Sequence, residues 1–475
     1  MSGIWLCTIP LLFLHVWQVN HRVLRINPNR TVDDTATSVS YPKKPKHIIL
    51  IAVDTLRADH TSMGGYPRGT TPRVNKMARR EGIVFENAYS SSSWTLPSSV
   101  SLLTSLPPNI HEVEDREQTL HPDVPTLAGA FSKQGWRSAA FVTHIYVSSL
   151  FGVDSGFDEF HELSIDWGFN EGSQLRAAEL NDAVFPWLEK NKDTPFFLYL
   201  HYFDPHWDYD PPEPFKEKFT DPDYHGEATG TWSYIRQYID PEQRMPIDAL
   251  GHVIDLYDGE IAYTDQELDR LFNHLKSQKM WDDSLVVLLS DHGEEFKDHG
   301  SMHHIRTLYE EVLHVPLIVK LPGGRPKGWK KRIQSRVGTI DVGPTLLDIA
   351  RKDIPPSFQG GSLVPLLKNG GPDRDIFART VRHRSDTMAL IMDGRKLVMP
   401  FGRNPNPIEY FDLEKDPLEQ SSEVRGYPRE VDFFVSEIEN RLKTTALDIG
   451  LPGAGKEVNL SEDQKTLLRN LGYME

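Results

Sequence analysis

The sequence has little cysteine, no long basic run and no repeated or low-complexity segment. Cys7 is the single cysteine among 475 residues, so no disulfide can form within the chain. The formal net charge is −16, which argues against a nucleic-acid scaffold because such a protein needs a basic face. An anionic ligand must therefore meet local positive charge, and a bound metal ion would supply it.

Apolar runs long enough to span a bilayer are also absent, and the nearest approach is the run over residues 4–17. It has about the length of a signal-peptide core and is short for a membrane span. No basic segment precedes it, whereas Arg22, Arg25 and Arg30 follow it. We interpret residues 1–25 as an export signal or a membrane anchor, which predicts an exported or membrane-anchored, extracytoplasmic protein that associates with the membrane through this run. A wrongly assigned start or a truncated membrane segment is the alternative.

Beyond this segment the pattern is that of an α/β protein. Residues 26–45 are polar and show no period, so they are predicted to form a linker. Continuous apolar runs, typical of central parallel strands, then alternate with helical patterns. The predicted strands are His47–Val53, Trp136–Thr143, Pro195–Phe203, Ser284–Ser290 and Val315–Leu321. The predicted helices are Thr71–Glu81, Pro125–Gln134, Ile261–Leu275 and Asp341–Ala350. This alternation predicts a doubly wound, mostly parallel sheet flanked by helices.

The pattern changes in the last quarter of the chain. Residues 388–399 indicate two strands joined through Asp393-Gly394, which favours a tight hairpin. A strand over Glu409–Leu413 and a helix over Arg429–Leu442 complete a small antiparallel α+β subdomain. The predicted divisions are an α/β domain over 46–370, a C-terminal subdomain over 371–445 and a tail over 446–475.

Acids and histidines follow three of the predicted strands. They are Asp54, the pair Asp204 and His206, and the pair Asp291 and His292. Because ligands of open α/β sheets lie beyond the carboxyl ends of the strands, these side chains are expected at one edge. Carboxylates crowded there repel each other unless a cation neutralises them, and Asp with His is a common ligand set for divalent metals. Each acid taken alone is better explained as a helix cap or loop hydrogen-bonder, whereas three such strand ends together favour a metal site.

Two further segments contribute candidate residues. Thr95 comes just before a proline, and residues 98–105 suit a short helix whose free N–H groups favour an anion. A structural N-cap is the alternative role for Thr95. His304 follows His292 along the chain, beyond a glycine-containing loop that could fold back over the same site. The adjacent His303 leaves the choice between the two histidines open.

Seven segments of the chain resemble successive blocks of the sulfatase family. They are, in order, ILIAVDTLRADHTSMGGY, TTPRVNKMARREGIVFENAYSSSSWTLPSSVSLLTS, LYLHYFDPHWDYDPP, LYDGEIAYTDQELDRLFNHLK, SDHGEEFKDHGSMHHIRTLYEEVLHVPLIVKLPG, TIDVGPTLLDIA and EYFDLEKDPLEQ. They cover roughly residues 46 to 420, and the ending LSEDQKTLLRNLGYME is similar to those of bacterial members. One such block is a weak indication, whereas seven in order are specific.

The resemblance implies an alkaline-phosphatase-like core that holds a divalent metal through four side chains: Asp54, Thr95, Asp291 and His292. Two departures from the family bear on the chemistry. Sulfatases carry Cys or Ser followed by x-Pro-x-Arg and oxidise that first residue to formylglycine, whereas this chain has Thr95-Leu-Pro-Ser-Ser99. Threonine cannot give that aldehyde, and Ser99 replaces the arginine. Thr55 stands where sulfatases have a second metal-binding aspartate.

A threonine at this position is similar to that of phosphoethanolamine transferases, lipoteichoic acid synthases and nucleotide pyrophosphatase/phosphodiesterases. In these enzymes the threonine attacks phosphorus, and water or an acceptor alcohol resolves the phospho-threonine. His206 and His304 match histidines that contact the transferred group or, with an acid such as Asp204, hold a second metal, and both roles stay open. Oxygen ligands suit Ca, Mg or Mn, while the histidines favour Zn or Mn.

Three functions are compatible with these residues. The first is a metal-dependent hydrolase or transferase that acts on an anionic phosphate or sulfate ester through a covalent intermediate on Thr95. The second is a sulfuric ester hydrolase that works without formylglycine. The third, motivated by Ser99 and Thr55, is a catalytically reduced protein that keeps the fold for binding, and the retained metal-site residues argue against it.

Overall fold

The computed structural model describes residues 43–163, 175–381, 386–402, 406–453, 455–458 and 460–470. Its strands are β1 His47–Val53, β2 Gly82–Tyr89, β3 Arg137–Val142, β4 Glu159–Glu162, β5 Phe196–Tyr202, β6 Ser284–Ser290, β7 His314–Lys320, β8 Arg332–Gly338, β9 Ile376–Thr380, β10 Thr387–Met392, β11 Arg395–Pro400 and β12 Glu409–Asp412. Its helices are α1 Pro72–Arg80, α2 Thr95–Thr104, α3 Pro108–His111, α4 Leu127–Ser132, α5 Ala177–Asn191, α6 Phe215–Phe219, α7 Trp232–Ile235, α8 Ile247–Ser277, α9 Glu310–Leu313, α10 Val342–Ile349, α11 Pro428–Lys443 and α12 Glu462–Asn470.

The predicted N-terminal segment 1–25, with its apolar run 4–17, lies outside the described residues, as does most of the predicted linker 26–45. Within the described ranges, no helix has the length and apolar character needed to cross a bilayer.

Eight strands form one mixed sheet in the order β4-β3-β5-β1-β6-β7-β2-β8. The first five strands in this order, which are β4, β3, β5, β1 and β6, run parallel to one another. β7 is antiparallel to both of its neighbours, and β2 is parallel to the edge strand β8. β1 lies near the middle of the sheet with all of its residues buried, which is why it is an uninterrupted apolar run in the sequence. The predicted doubly wound, mostly parallel α/β sheet is confirmed.

Helices cover both faces of this sheet. Trp187 of α5 contacts Phe196 with ring centroids 5.0 Å apart, and Phe131 of α4 stacks on Phe197 at 5.0 Å. Because successive strand residues point to opposite faces, α5 and α4 lie on opposite sides of β5. α8 packs with both α1 and α5, while α2 packs with α4 and α10. The sheet is therefore buried on both faces, and its carboxyl edge is left to carry the site.

Some elements have no clear signal in the sequence. β2, β4, β8 and β9 were not predicted, and α8 begins at Ile247, well before the predicted Ile261. β8 is an edge strand whose first residues alternate between exposed and buried, so it lacks a continuous apolar run. The first turns of α8 are amphipathic and have many exposed positions, so they too lack a continuous apolar run.

A second, antiparallel sheet in the order β12-β11-β10-β9 forms in the C-terminal region, and α11 packs on it. Asp393 and Gly394 join β10 to β11, with Met392 paired to Arg395. Both turn residues have positive φ, 47° and 75°, as a type I′ hairpin turn requires. The predicted hairpin, its third strand and the following helix are therefore confirmed.

Candidate active site

Four residues predicted from the sequence meet at the carboxyl edge of the main sheet. Val53 is in register with Ser290 of β6, so Asp54 and Asp291 leave adjacent strands at the same level. His292 Nε2 lies 3.5 Å from Asp54 Oδ1, 3.6 Å from Asp291 Oδ2 and 3.2 Å from Thr95 Oγ1. All four side chains are buried.

These donor atoms fit a divalent metal ion. Both carboxylate oxygens of Asp54 and Oδ2 of Asp291 have no hydrogen-bond partner within the described part of the chain. A buried acceptor left unpaired costs about 1–3 kcal/mol, and more when it is charged. Burial, reinforced by Asp291 and Glu294, raises the pKa of Asp54 well above its ordinary value. A cation would satisfy these acceptors together, and atom separations of about 3.0–3.6 Å are those of ligands about 2.0–2.2 Å from one ion.

The local backbone sets the orientation of His292. Its Nδ1 donates to the carbonyl of Gly293 at 2.9 Å, so Nε2 presents a lone pair to the carboxylates, an arrangement common in metal-binding histidines. Burial lowers the pKa of His292 although Asp291 opposes this, which keeps the ring neutral. A Cβ on Gly293 would lie 2.0 Å from the carbonyl oxygen of Glu311, so only glycine allows this close approach.

Thr95 is the first residue of α2 and lies beside this cluster. The residue before it, Trp94, is extended and takes the N-cap position, and no side chain caps this helix start. Thr95 is therefore not the structural N-cap that was the alternative, and its hydroxyl contacts His292 instead. The N–H groups of the first helical turn have no partner within the helix, which favours an anionic group beside the hydroxyl.

His206 and His304 also reach the cluster. The His304 ring lies 4.5 Å from that of His292 and 5.3 Å from that of His206. His206 Nδ1 donates to the carbonyl of Trp207 at 2.8 Å, and His304 Nδ1 lies 3.1 Å from Glu294 Oε1. Burial lowers the pKa of His206 to about 3 and that of His304 well below its ordinary value. Both rings are thus neutral and aimed by backbone or carboxylate partners.

Asp204 is directed elsewhere. Its Oδ2 accepts a hydrogen bond at 2.7 Å from the N–H of Ala177, the first residue of α5. Burial raises the pKa of Asp204 to about 6, although Arg176 opposes this. Among the described residues, no group with metal-ligand geometry includes Asp204. The carboxylate of Asp204 thus supports the start of α5, whereas His206 belongs to a group with metal-ligand geometry.

The site also contains residues that the sequence analysis missed. Three sets of buried side chains in the described ranges have ligand atoms within 4.8 Å of one another: Asp54, His201 and Asp291; Asp54, His144 and His206; and Glu294, His303 and His304. His144 directly follows the predicted strand Trp136–Thr143, so the strand-end rule that identified Asp54 applies to it too. His201 lies within a predicted strand, and its signal is a polar residue in an otherwise apolar run.

Comparison with known proteins gives two matches to family models. Residues 46–352 match the model described as Sulfatase, and residues 298–446 match the C-terminal model of N-sulphoglucosamine sulphohydrolase. An arylsulfatase of Clostridium perfringens is 25% identical over 461 residues, covering 83% of this chain and 95% of the relative. The multifunctional alkaline phosphatase superfamily protein PehA of Trinickia caryophylli is 24% identical over 472 residues, with coverages of 79% and 91%.

Solved structures show the same fold. The phosphonate monoester hydrolase of Agrobacterium radiobacter superimposes with a TM-score of 0.70 at 22% identity, covering 84% of this chain and 95% of that one. A second structure, solved in complex with its substrate D-glucosamine-2-N,6-O-disulfate, gives a TM-score of 0.68 at 21% identity, with coverages of 84% and 98%. At these identities the likeness concerns the architecture.

Proposed function

The chain belongs to the sulfatase family, and from this membership we propose that it is a metal-dependent hydrolase or transferase of phosphate or sulfate esters with Thr95 as its nucleophile. One observation carries the proposal. The buried Thr95 hydroxyl lies 3.2 Å from His292 Nε2, and carboxylate oxygens of Asp54 and Asp291 lie 3.5 and 3.6 Å from that same nitrogen. This is the arrangement needed to activate a side-chain alcohol beside a cation.

Thr95 carries the covalent step of the proposed reaction. A divalent metal held by Asp54, Thr95, Asp291 and His292 would lower the pKa of the Thr95 hydroxyl and draw charge from the group under attack. The Thr95 oxygen bonds to phosphorus or sulfur, and the bond from that atom to the leaving-group oxygen breaks. The departing alcohol takes up a proton. Water, or an acceptor alcohol in a transferase, then cleaves the ester on Thr95 and restores its hydroxyl.

His304 and His206 are suited to the other tasks of the reaction. Burial raises the pKa of Glu294 to about 8, so the contact between Glu294 and His304 holds a proton near neutral pH that His304 can pass to the leaving group. His206 faces the same space and is placed to contact the transferred group. Asp204 accepts a hydrogen bond from α5, and among the described residues it joins no group with metal-ligand geometry, so a second metal held by these histidines together with Asp204 is not part of the proposal.

Isosteric replacement of the nucleophile tests the proposal. Thr95→Val keeps the volume of the side chain and removes its hydroxyl, and we expect kcat/KM on a 4-nitrophenyl phosphate ester to fall about a thousandfold or more. Thr104→Val at the other end of α2 is the matched control, because within the described residues its hydroxyl bonds only the carbonyl of Val100 in its own helix. Acid-quenched wild-type protein should carry a phosphoryl group on the peptide that contains Thr95. Undiminished turnover by Thr95→Val would remove Thr95 from the mechanism.

Sulfate ester hydrolysis is the second candidate, and the likeness to arylsulfatases favours it. Thr95 cannot become formylglycine, so we expect 4-nitrophenyl phosphate or bis(4-nitrophenyl) phosphate to be turned over faster than 4-nitrophenyl sulfate. A clear preference for the sulfate under the same metal and pH conditions would reverse this order. Inactivity on every ester together with an empty site at saturating divalent ion would instead support the catalytically reduced binding protein.

Export or membrane attachment through residues 4–17 is a separate proposal that rests on the apolar run alone. Fractionation of cells that produce the full chain or a chain lacking residues 1–25 would test it. Recovery of the full chain in the cytoplasm, unattached to membranes, would contradict it.

A further inference from the structure

His201 of β5 lies between the two carboxylates of the site. Residues of β5 pair with β1 in parallel register, His201 with Ala52, so His201 and Asp54 reach the same edge of the sheet. His201 Nε2 is 3.8 Å from Asp54 Oδ2 and 3.7 Å from Asp291 Oδ2, and none of the three side chains is exposed. These separations are too long for hydrogen bonds and only slightly longer than the spacing of about 3.0–3.6 Å between ligands of one ion.

The polar atoms in this arrangement lack partners. Neither ring nitrogen of His201 has a hydrogen-bond partner in the described part of the chain, and the facing oxygens of Asp54 and Asp291 have none either. A neutral imidazole always carries one donor and one acceptor, and burying both unpaired is unfavourable. A structural histidine in a strand would hydrogen-bond at least one neighbour. A cation bound by Nε2 and by both carboxylates accounts for the unpaired atoms together.

We propose that His201 is a further ligand of the metal site and binds through Nε2 beside Asp54, Thr95, Asp291 and His292. This inference rests on the metal site of the proposed function. The donor set then contains three oxygens and two imidazole nitrogens. Imidazole suits Zn²⁺, Mn²⁺ and neighbouring transition ions, whereas Ca²⁺ and Mg²⁺ prefer ligand sets made of oxygen alone. The resident ion is therefore a divalent transition metal, selected against Ca²⁺ by the second imidazole.

His144 provides a matched control in the same cluster. Its ring centroid is 6.2 Å from that of His201, and its ligand atom lies within 4.8 Å of those of Asp54 and His206. Its Nδ1, however, accepts a hydrogen bond at 3.0 Å from the N–H of Tyr146, which places the ring proton on Nε2. An Nε2–H group donates to an anion and does not bind a metal, so His144→Gln should leave the affinity for metal unchanged.

The experiment measures metal affinity and coordination, independently of turnover. Full-length wild type, His201→Asn and His144→Gln are stripped with a chelator and titrated with Zn²⁺ and with Ca²⁺ in competition with an indicator dye. We expect wild type and His144→Gln to bind Zn²⁺ much more tightly than Ca²⁺. His201→Asn should bind Zn²⁺ at least a hundredfold more weakly and lose most of the preference over Ca²⁺. The visible absorption of bound Co²⁺ should shift in His201→Asn alone.

A structural role for His201 predicts different results. His201→Leu removes both nitrogens, so the metal-stripped variant should unfold at a temperature no lower than stripped wild type, whereas loss of a structural histidine would lower it. Unchanged Zn²⁺ affinity and Co²⁺ absorption in His201→Asn would overturn the inference, provided that Asp54→Asn abolishes binding. Failure of wild type itself to bind any divalent ion would overturn the metal-dependent proposed function as well.

Discussion

At the scale of single residues, the neighbours of each imidazole decide what it can do. His292 and His206 donate their Nδ1–H groups to backbone carbonyls and so present lone pairs at Nε2. His144 accepts a backbone N–H at Nδ1 and so presents an N–H group. His206 and His144, whose ring centroids are 5.4 Å apart, thus present a lone pair and an N–H group respectively, the first suited to a cation and the second to an anion.

Replacement of Asp54 by asparagine should have opposite effects on stability and on metal binding. Burial raises the pKa of Asp54, so its ionised form costs folding free energy at every pH above its ordinary value of about 3.9. An amide removes this penalty, and we expect metal-stripped Asp54→Asn to unfold at a higher temperature than stripped wild type near pH 7. The rise in unfolding temperature on adding Zn²⁺ or Mn²⁺ should be lost in the variant.

Thermal unfolding with chelator and with added ion measures both effects. A stripped variant less stable than stripped wild type would mean that the carboxylate is satisfied by contacts within the protein.

At the scale of elements, one arginine fastens the segments that carry the site. Arg57, in the segment that follows β1, has a side chain only 5% exposed. It donates to Asp298 at 2.9 and 3.1 Å and to the carbonyl of Glu294 at 3.1 Å. It also donates to Asp59 at 2.9 and 2.8 Å. Arg57 thereby holds the segment after β1, which begins with Asp54, against the segment after β6, which continues to His303 and His304.

Gly293 lies in close contact with the backbone of Glu311, so its replacement should damage both fold and site. The Cβ of Gly293→Ala would meet the carbonyl of Glu311 at 2.0 Å, which forces the backbone next to His292 to move. We expect a loss of about 1–3 kcal/mol in the free energy of unfolding and weaker metal binding. Gly251→Ala is the control: a Cβ there meets nothing within 4 Å in helix α8, so stability should stay equal or rise.

Denaturant unfolding of the two variants and wild type, each with and without metal, makes the comparison. Equal stability of Gly293→Ala and wild type would show that the contact with Glu311 is easily relaxed.

At the scale of the whole molecule, buried charged side chains join the C-terminal sheet to the loop between β6 and α9, which carries His303 and His304. Lys396 of β11 is fully buried, 2.8 Å from Glu419 and 3.2 Å from Glu310 at the start of α9. His299, in the loop that follows β6, lies 2.7 Å from Glu311 and 3.2 Å from the carbonyl of Glu419. The C-terminal region thus supports the loop that carries His303 and His304.

This support should depend on pH. Burial opposes protonation of His299, but Glu311 prevails and raises its pKa to about 9 from an ordinary value of 6.5. A raised pKa means that the stabilising contribution is complete below about pH 6.5 and is lost as the pH rises through about 9. We expect the free energy of unfolding of wild type to decrease as the pH rises from about 6.5 to about 9. The free energy of unfolding of His299→Gln should decrease less steeply over the same range.

His121→Gln, at another partly exposed histidine, is the control and should follow wild type. Denaturant unfolding at pH 6, 7.5 and 9.5 measures how the free energy of unfolding changes with pH in wild type and in each of the two variants. Parallel curves for wild type and His299→Gln would exclude His299 as the source of the pH dependence.

The sequence predicted the elements that are buried on both sides and those with strict turn chemistry. β1 and β6 are fully buried, so each is an apolar run ended by an acid, and the Asp393-Gly394 turn allows few other conformations. The edge strand β8 was not predicted because its first residues alternate between exposed and buried, which leaves no continuous apolar run. Asp204 follows the end of β5 closely, as Asp54 follows β1, yet its carboxylate accepts a hydrogen bond from the first N–H of α5.

The sequence by itself determined that Asp54, Asp291 and His292 reach the sheet edge, because strand ends and their acids are local features of the chain. It also determined that Thr95, which cannot become formylglycine, stands where sulfatases have Cys or Ser. Only the tertiary structure decided that His201 joins the carboxylates, since this depends on β5 lying next to β1 and on side chains that leave both of its nitrogens unpaired. Strand order and hydrogen-bond partners arise from contacts between distant segments, and no local pattern contains them.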